Sequence, residues 1–193
     1  MINKEEVKET IVDVARQIFS KFGFKKTTMN EIANAKGKGK SSIYYYFASK
    51  EKIFQAVVEK EASILNQELL KANRDADSPT MKLKMHVLVR MHAVEKLANY
   101  YSAIKDEYLS HLDFIEKIRK KSDQEEFQMM ENILIEGVAD GIFDIKDISL
   151  AAIAIVAALK GMEVPLFWGE EEKDIDRRLD NLIYILFNGV ITR

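Results

Sequence analysis

A chain of 193 residues, 47% of them hydrophobic, can bury one large or two smaller cores, and that apolar share excludes a disordered chain. The absence of cysteine excludes a disulfide framework and thiolate chemistry and fits a reducing cytoplasm. Net charge is only −2, yet residues 1–60 hold 12 Lys/Arg against 7 Asp/Glu while residues 61–193 hold 17 against 24, so an anionic partner is expected for the head alone.

The first ten residues, MINKEEVKET, lack the apolar centre of a signal peptide. Few breakers occur, and apolar residues recur at the helical period throughout. A first helix is expected over 4–22, with Val7, Ile11, Val14, Ala15, Ile18, Phe19 and Phe22 as its apolar stripe and Gly23 as the residue after its last turn. Thr28 and Glu31 carry the capping-box spacing and open a short second helix to about 35. A third short helix is expected over 40–47. Ser49 caps a fourth, 50–73, carried by Ile53, Phe54, Val57, Ile64 and Leu65 with Val58 beside the stripe. The polar run NRDADSP (73–79) is a boundary, with Ser78 as cap and Pro79 in the first helical position. Helices follow over 79–100, 103–110 and 113–139, the last ending at the Asp-Gly pair 140–141. Asp147 or Ser149 starts an apolar helix to about 168, bent near Pro165, and a final helix covers 171–189. The longest apolar run, 150–159, has 10 residues, about half of the ~20 that a membrane span takes, so no membrane is expected. The fold class is all-α, with about nine helices.

The stretch AKGKGKSSIYYYF (35–47) is the densest in chemistry. Gly39-Lys40-Ser41 matches the end of a phosphate-binding P-loop, but the first glycine of that motif falls on Asn34 and a helix, not a strand, precedes it. Two short helices meeting at a glycine-containing turn fit a helix-turn-helix instead, whose second helix reads a major groove. Its first turn offers Lys40, Ser41 and Ser42 to base edges, while nearby tyrosines and lysines, Lys38 among them, suit phosphates. The helix starts at Thr28 and Lys50 offer further N–H donors to phosphate.

At these residues the chain resembles the N-terminal domain of the TetR family of bacterial transcriptional regulators. The resemblance rests on Gly23, Thr28, Ile32-Ala33, Ile43-Tyr44-Tyr45-Tyr46-Phe47 and Ser49-Lys50-Glu51, and EGVADGIFD (136–144) is similar to that family's C-terminal half. It implies phosphate contacts at Thr28, Tyr44, Tyr45, Tyr46 and Lys50, and base contacts at Lys40 and Ser41 with Ser42 beside them. It implies a helix-turn-helix DNA-binding domain over 1–50 and a helical regulatory and dimerisation domain over 51–193. The turn departs from the family's Ala-Gly-Val-Ser-x-Gly: Lys38 replaces the apolar residue, Gly39 the capping serine and Ser41 a glycine. Double-stranded DNA is thus the expected partner, but no operator sequence is inherited with the resemblance.

One reading head covers only a few base pairs, so a homodimer on a palindromic operator is expected. The last two helices are its candidates, through Ala154, Ala158, Leu179, Leu182, Ile183, Leu186 and Val190. A small apolar or aromatic effector that releases a repressor is the family's implied signal, with Met85, His92, Tyr101, Phe127, Met130, Leu134, Met162, Phe167 and Trp168 as candidate lining. Each of these residues serves equally well as core. No cofactor, metal or enzyme activity is expected: His86, His92 and His111 share no i,i+4 spacing, and neither H-E-x-x-H nor G-x-S-x-G occurs. The rival reading is a helical protein–protein module whose basic head binds an acidic partner.

Overall fold

A computed structural model describes residues 4–35, 43–106, 109, 112–167 and 175–188. Among them are eight helices and no strand: α1 (Lys4–Lys26), α2 (Met29–Ala35), α3 (Lys50–Asp75), α4 (Pro79–Lys96), α5 (Ala98–Lys105), α6 (Asp113–Ala139), α7 (Ile148–Phe167) and α8 (Ile175–Asn188). The chain divides into two compact units, residues 1–64 with 97–122, and residues 65–96 with 123–193.

In the first unit, regular α1 geometry is interrupted at Gly23, whose φ is +77°. That left-handed step suits a residue without Cβ. It also redirects the next side chain: Phe24 is buried, whereas Phe22, expected in the stripe, is 53% exposed under Lys21. Phe19, Phe24 and Phe54 form an aromatic cluster with centroids 4.8 to 5.9 Å apart. On α3, Ile53, Phe54, Val57 and Val58 are all buried, so Val58 belongs to the stripe; Ile64 is only half-buried. Ile43 and Phe47 are buried as well and tie the segment 43–47 to this core. Each such side chain contributes roughly 1.5–3 kcal/mol by leaving water.

The helix expected over 79–100 is two helices. It stops at Lys96, Leu97 adopts φ −113° and ψ 48°, and α5 restarts at Ala98. The cause lies in α3: Glu61 accepts the N–H of Tyr100, in the first turn of α5, at 2.8 Å. A free N–H at a helix start has found its acceptor on another helix.

The second unit has its own core. Leu83, Val87 and Met91 of α4 meet Met130, Ile133 and Leu134 of α6, Ala152, Val156 and Leu159 of α7, and Leu179 and Ile183 of α8. Local caps place these helices. Ser78 accepts the N–H of Met81 at 3.3 Å ahead of Pro79, and Asp147 accepts that of Leu150 at 2.9 Å. The end of α6 is closed by bonds from Ile142 and Phe143 to Gly137 O, with Gly141 at φ +69°.

Candidate nucleic-acid interface

Thr28 and Glu31 form a complete capping box. Glu31 N donates to Thr28 Oγ1 at 3.3 Å, and Thr28 N donates to Glu31 Oε2 at 2.7 Å. At the next helix start, Ser49 Oγ accepts Lys52 N at 3.3 Å, and the Glu51 carboxyl is held below its ordinary range by the Ser49 hydroxyl and then by its own backbone N–H. Both helix starts, expected to be open to phosphate, are therefore capped by their own side chains. A phosphate at the Thr28 start must displace Glu31.

Between them, the backbone N–H groups of Tyr46 and Phe47 both donate to Ile43 O at 2.9 Å and close a helical turn. Because Ile43 and Phe47 are anchored, the intervening residues turn outward: Tyr44 is 46% and Tyr45 69% exposed. The Tyr46 ring meets that of Tyr45 edge-on at 5.0 Å, and Lys4 Nζ sits 4.8 Å above the Tyr45 ring. Lys4 was not foreseen, since the two residues share no local motif. Lys50 is not a free cation. Its ammonium donates to Phe24 O and Thr27 O, both at 2.9 Å, and lies 4.2 Å over the Phe24 ring. It holds the link between α1 and α2. Thr28, Tyr44, Tyr45, Tyr46 and Lys50 all belong to the first unit. Lys38, Lys40, Ser41 and Ser42 lie outside the described residues.

Residues 11–57 match the family described as bacterial regulatory proteins, tetR family. The HTH-type transcriptional repressor KstR2 of Mycolicibacterium smegmatis is 30% identical over 141 residues, covering 70% of this chain and 67% of that one. The chain belongs to the TetR family of transcriptional regulators. Its fold is shared over nearly full length by a TetR/AcrR regulator from Thermobifida fusca, with a TM-score of 0.81 at 21% identity over 97% of this chain and 100% of that one. FadR from Bacillus subtilis, solved in complex with stearoyl-CoA, has a TM-score of 0.75 at 16% identity over 94% and 98%.

Beyond its reading head, this TetR-family regulator scatters the expected effector residues. Met85 lines an open groove of about 470 Å³ between the end of α3 and α4, with Ala72, Ala76, Met81 and Val89 and the charged Glu68, Lys71, Asp75 and Lys96. Met130 and Leu134 are instead filled into the core, and Phe127 packs against it. His92 Nδ1 lies 2.9 Å from Leu88 O of its own helix, so it is occupied locally. The side chains of Tyr101, Met162 and Phe167, and all of Trp168, lie outside the described set.

A buried polar group escaped the sequence reading. Arg90 Nε donates to Glu126 Oε1 at 2.8 Å, His86 Nε2 stands 3.8 Å from the same oxygen, and all three residues are at most 4% exposed. Burial alone raises the Glu126 carboxyl, yet His86, Arg90 and Lys160 together hold it down at about 2. Its only local signal is the i,i+4 spacing of His86 and Arg90.

The dimer candidates also divide. Ala154 and Ala158 are exposed on a face of α7 shared with Leu150, 61% exposed, and Ile153, 53% exposed. Leu179 and Ile183 are not surface residues: they are buried in the chain's own core, with Leu182 half-buried beside them. Tyr184 and Ile185 take the outward places on α8, at 64% and 48% exposure. The Leu186 side chain and Val190 lie outside the described set. Among the described residues no cluster of metal-ligating side chains occurs, and no helix is long and apolar enough to cross a membrane.

Proposed function

We propose that the chain is a repressor that binds a two-fold-symmetric operator as a homodimer and is released by a small apolar or aromatic effector. Residues 1–50 are the reading domain and 51–193 the regulatory and dimerisation domain. One observation carries the DNA reading: Tyr44 and Tyr45 are pushed outward by their buried neighbours, next to a segment with three lysines at 36, 38 and 40. Tyrosine hydroxyls and lysines there grip phosphate, while Lys40 and Ser41, with Ser42, read base edges. Thr28 and Lys50 act mainly by shaping the head.

Dimerisation is supported by the outward apolar faces of α7 and α8, since patches of this kind mark interaction surfaces. The effector is supported by the groove at Met85, whose volume falls within the ~300–1,000 Å³ usual for ligand sites. The structural neighbour FadR was solved with stearoyl-CoA, a ligand that carries a long apolar acyl chain. Such a regulator works on DNA in the cytoplasm. The test is selection of bound duplexes from a random DNA pool at two salt concentrations. A motif with half-sites about 10 base pairs apart is expected, bound more weakly at the higher salt. Salt-sensitive retention without any motif refutes operator reading, and no retention at either salt refutes DNA binding.

A further inference from the structure

Glu61 is 1% exposed, yet it is a carboxylate. Its Oε1 accepts Arg16 Nε of α1 and Asn99 Nδ2 of α5, both at 2.8 Å, and its Oε2 accepts Tyr100 N at 2.8 Å. Asn99 Nδ2 also donates to Arg16 O at 3.0 Å, so α1 is held by its backbone as well as its side chain. Three helices of the first unit thus converge on one buried group. The same helix α3 grips the α1–α2 link through Lys50, eleven residues or about 16 Å earlier.

An apolar side chain would fill this space without the desolvation cost of a carboxylate, so stability alone is a poor reason for Glu61. What a carboxylate adds is direction: three donors must sit at set angles around it. We propose that Glu61 is a positioning residue for operator binding, fixing α1 and the first turn of α5 to α3 and thereby setting the orientation of the reading head. The inference rests on the operator reading and goes beyond it.

The test uses the full chain with Glu61→Gln, whose amide turns one acceptor into a donor facing donors. Because the native chain has no cysteine, Asn34→Cys and Ser102→Cys, both at exposed positions, place a spin-label pair across the junction. One narrow label distance is expected without Glu61→Gln and a broad one with it. Affinity for the selected symmetric duplex should fall about tenfold, with random-duplex binding changed less than about twofold. A merely structural role would weaken both duplexes together, so a parallel loss overturns the proposal. Unchanged label distances, or unchanged operator affinity despite broadened distances, overturn it too. Should Glu61→Gln not fold, Asn99→Ala removes one donor, leaves the other two in place and is judged by the same outcomes. If the unsubstituted chain selects no symmetric duplex, the operator reading falls, while the label distances still decide whether Glu61 sets the frame.

Discussion

Glu126 shows how a single buried group makes stability depend on pH. Its carboxyl lies at about 2 against an ordinary 4.5, so the unfolded chain holds this proton more tightly than the folded one. The stabilisation is therefore complete above 4.5 and is lost as pH falls from there towards 2. Glu126→Gln takes the buried carboxylate from Arg90 and should cost about 3–5 kcal/mol at neutral pH. Urea denaturation of both chains at neutral pH and at pH 3 checks this, and the gap between them should narrow in acid. In the head, Lys40 and Lys50 should differ in kind. Lys40→Ala should relax discrimination at one base position, at a cost of roughly 1–3 kcal/mol on the preferred site. Lys50→Ala removes the ties to Phe24 O and Thr27 O, so it should weaken all duplexes alike and lower the denaturation midpoint. Binding to a panel of single-base operator variants separates the two, and an unchanged preference in the Lys40 variant refutes its base-reading role.

Helix ends in this chain are fixed by two kinds of chemistry. At the starts, Thr28, Ser49, Ser78 and Asp147 each accept an N–H three residues on. At the end of α6, packing decides. A Cβ on Gly137 would stand 2.0 Å from Phe143 Cδ2, and the ring is itself packed against the second core. Gly137→Ala should therefore cost about 1–3 kcal/mol through overpacking. Phe143→Leu in the same chain should recover part of that loss, which a double-mutant cycle in denaturant would measure. Strict additivity of the two changes would show that the ring does not occupy the space above Gly137.

At the scale of the molecule, the outward residues of α7 recur as one stripe: Leu150, Ile153, Ala154, Ala157 and Ala158 are all exposed. Spacings of three and four put them on one face, and the alanines permit a close approach. Ile153→Arg should place a charge in the middle of the proposed dimer face and yield a folded monomer. Sedimentation would report the loss of the dimer. Operator affinity should fall by about a hundredfold or more because one head then binds alone. A native chain that sediments as a monomer would remove the dimer from the proposed function.

What the amino-acid sequence determined by itself is what depends on neighbours within about one helical turn. The capping box at Thr28 and the caps at Ser49 and Ser78 were legible because each partner lies three residues away, and the break of the first helix at Gly23 and the span 113–139 because a glycine and an apolar period mark them locally. The TetR-family head was legible for the same reason, as a compact motif over residues 11–57. Only the tertiary structure decided that Phe24 and not Phe22 enters the core, since the turn at Gly23 has to be aimed at Phe54. It alone split the helix at Leu97, through an acceptor 39 residues away on α3. It alone put Leu179 and Ile183 inside, leaving Tyr184 and Ile185 outside, because an amphipathic stripe does not say which neighbour it faces. The buried His86–Arg90–Glu126 group and the Glu61 junction escaped for one reason: their bonds join residues 36 to 83 positions apart, and the i,i+4 spacing of His86 and Arg90 does not point to the carboxylate they share.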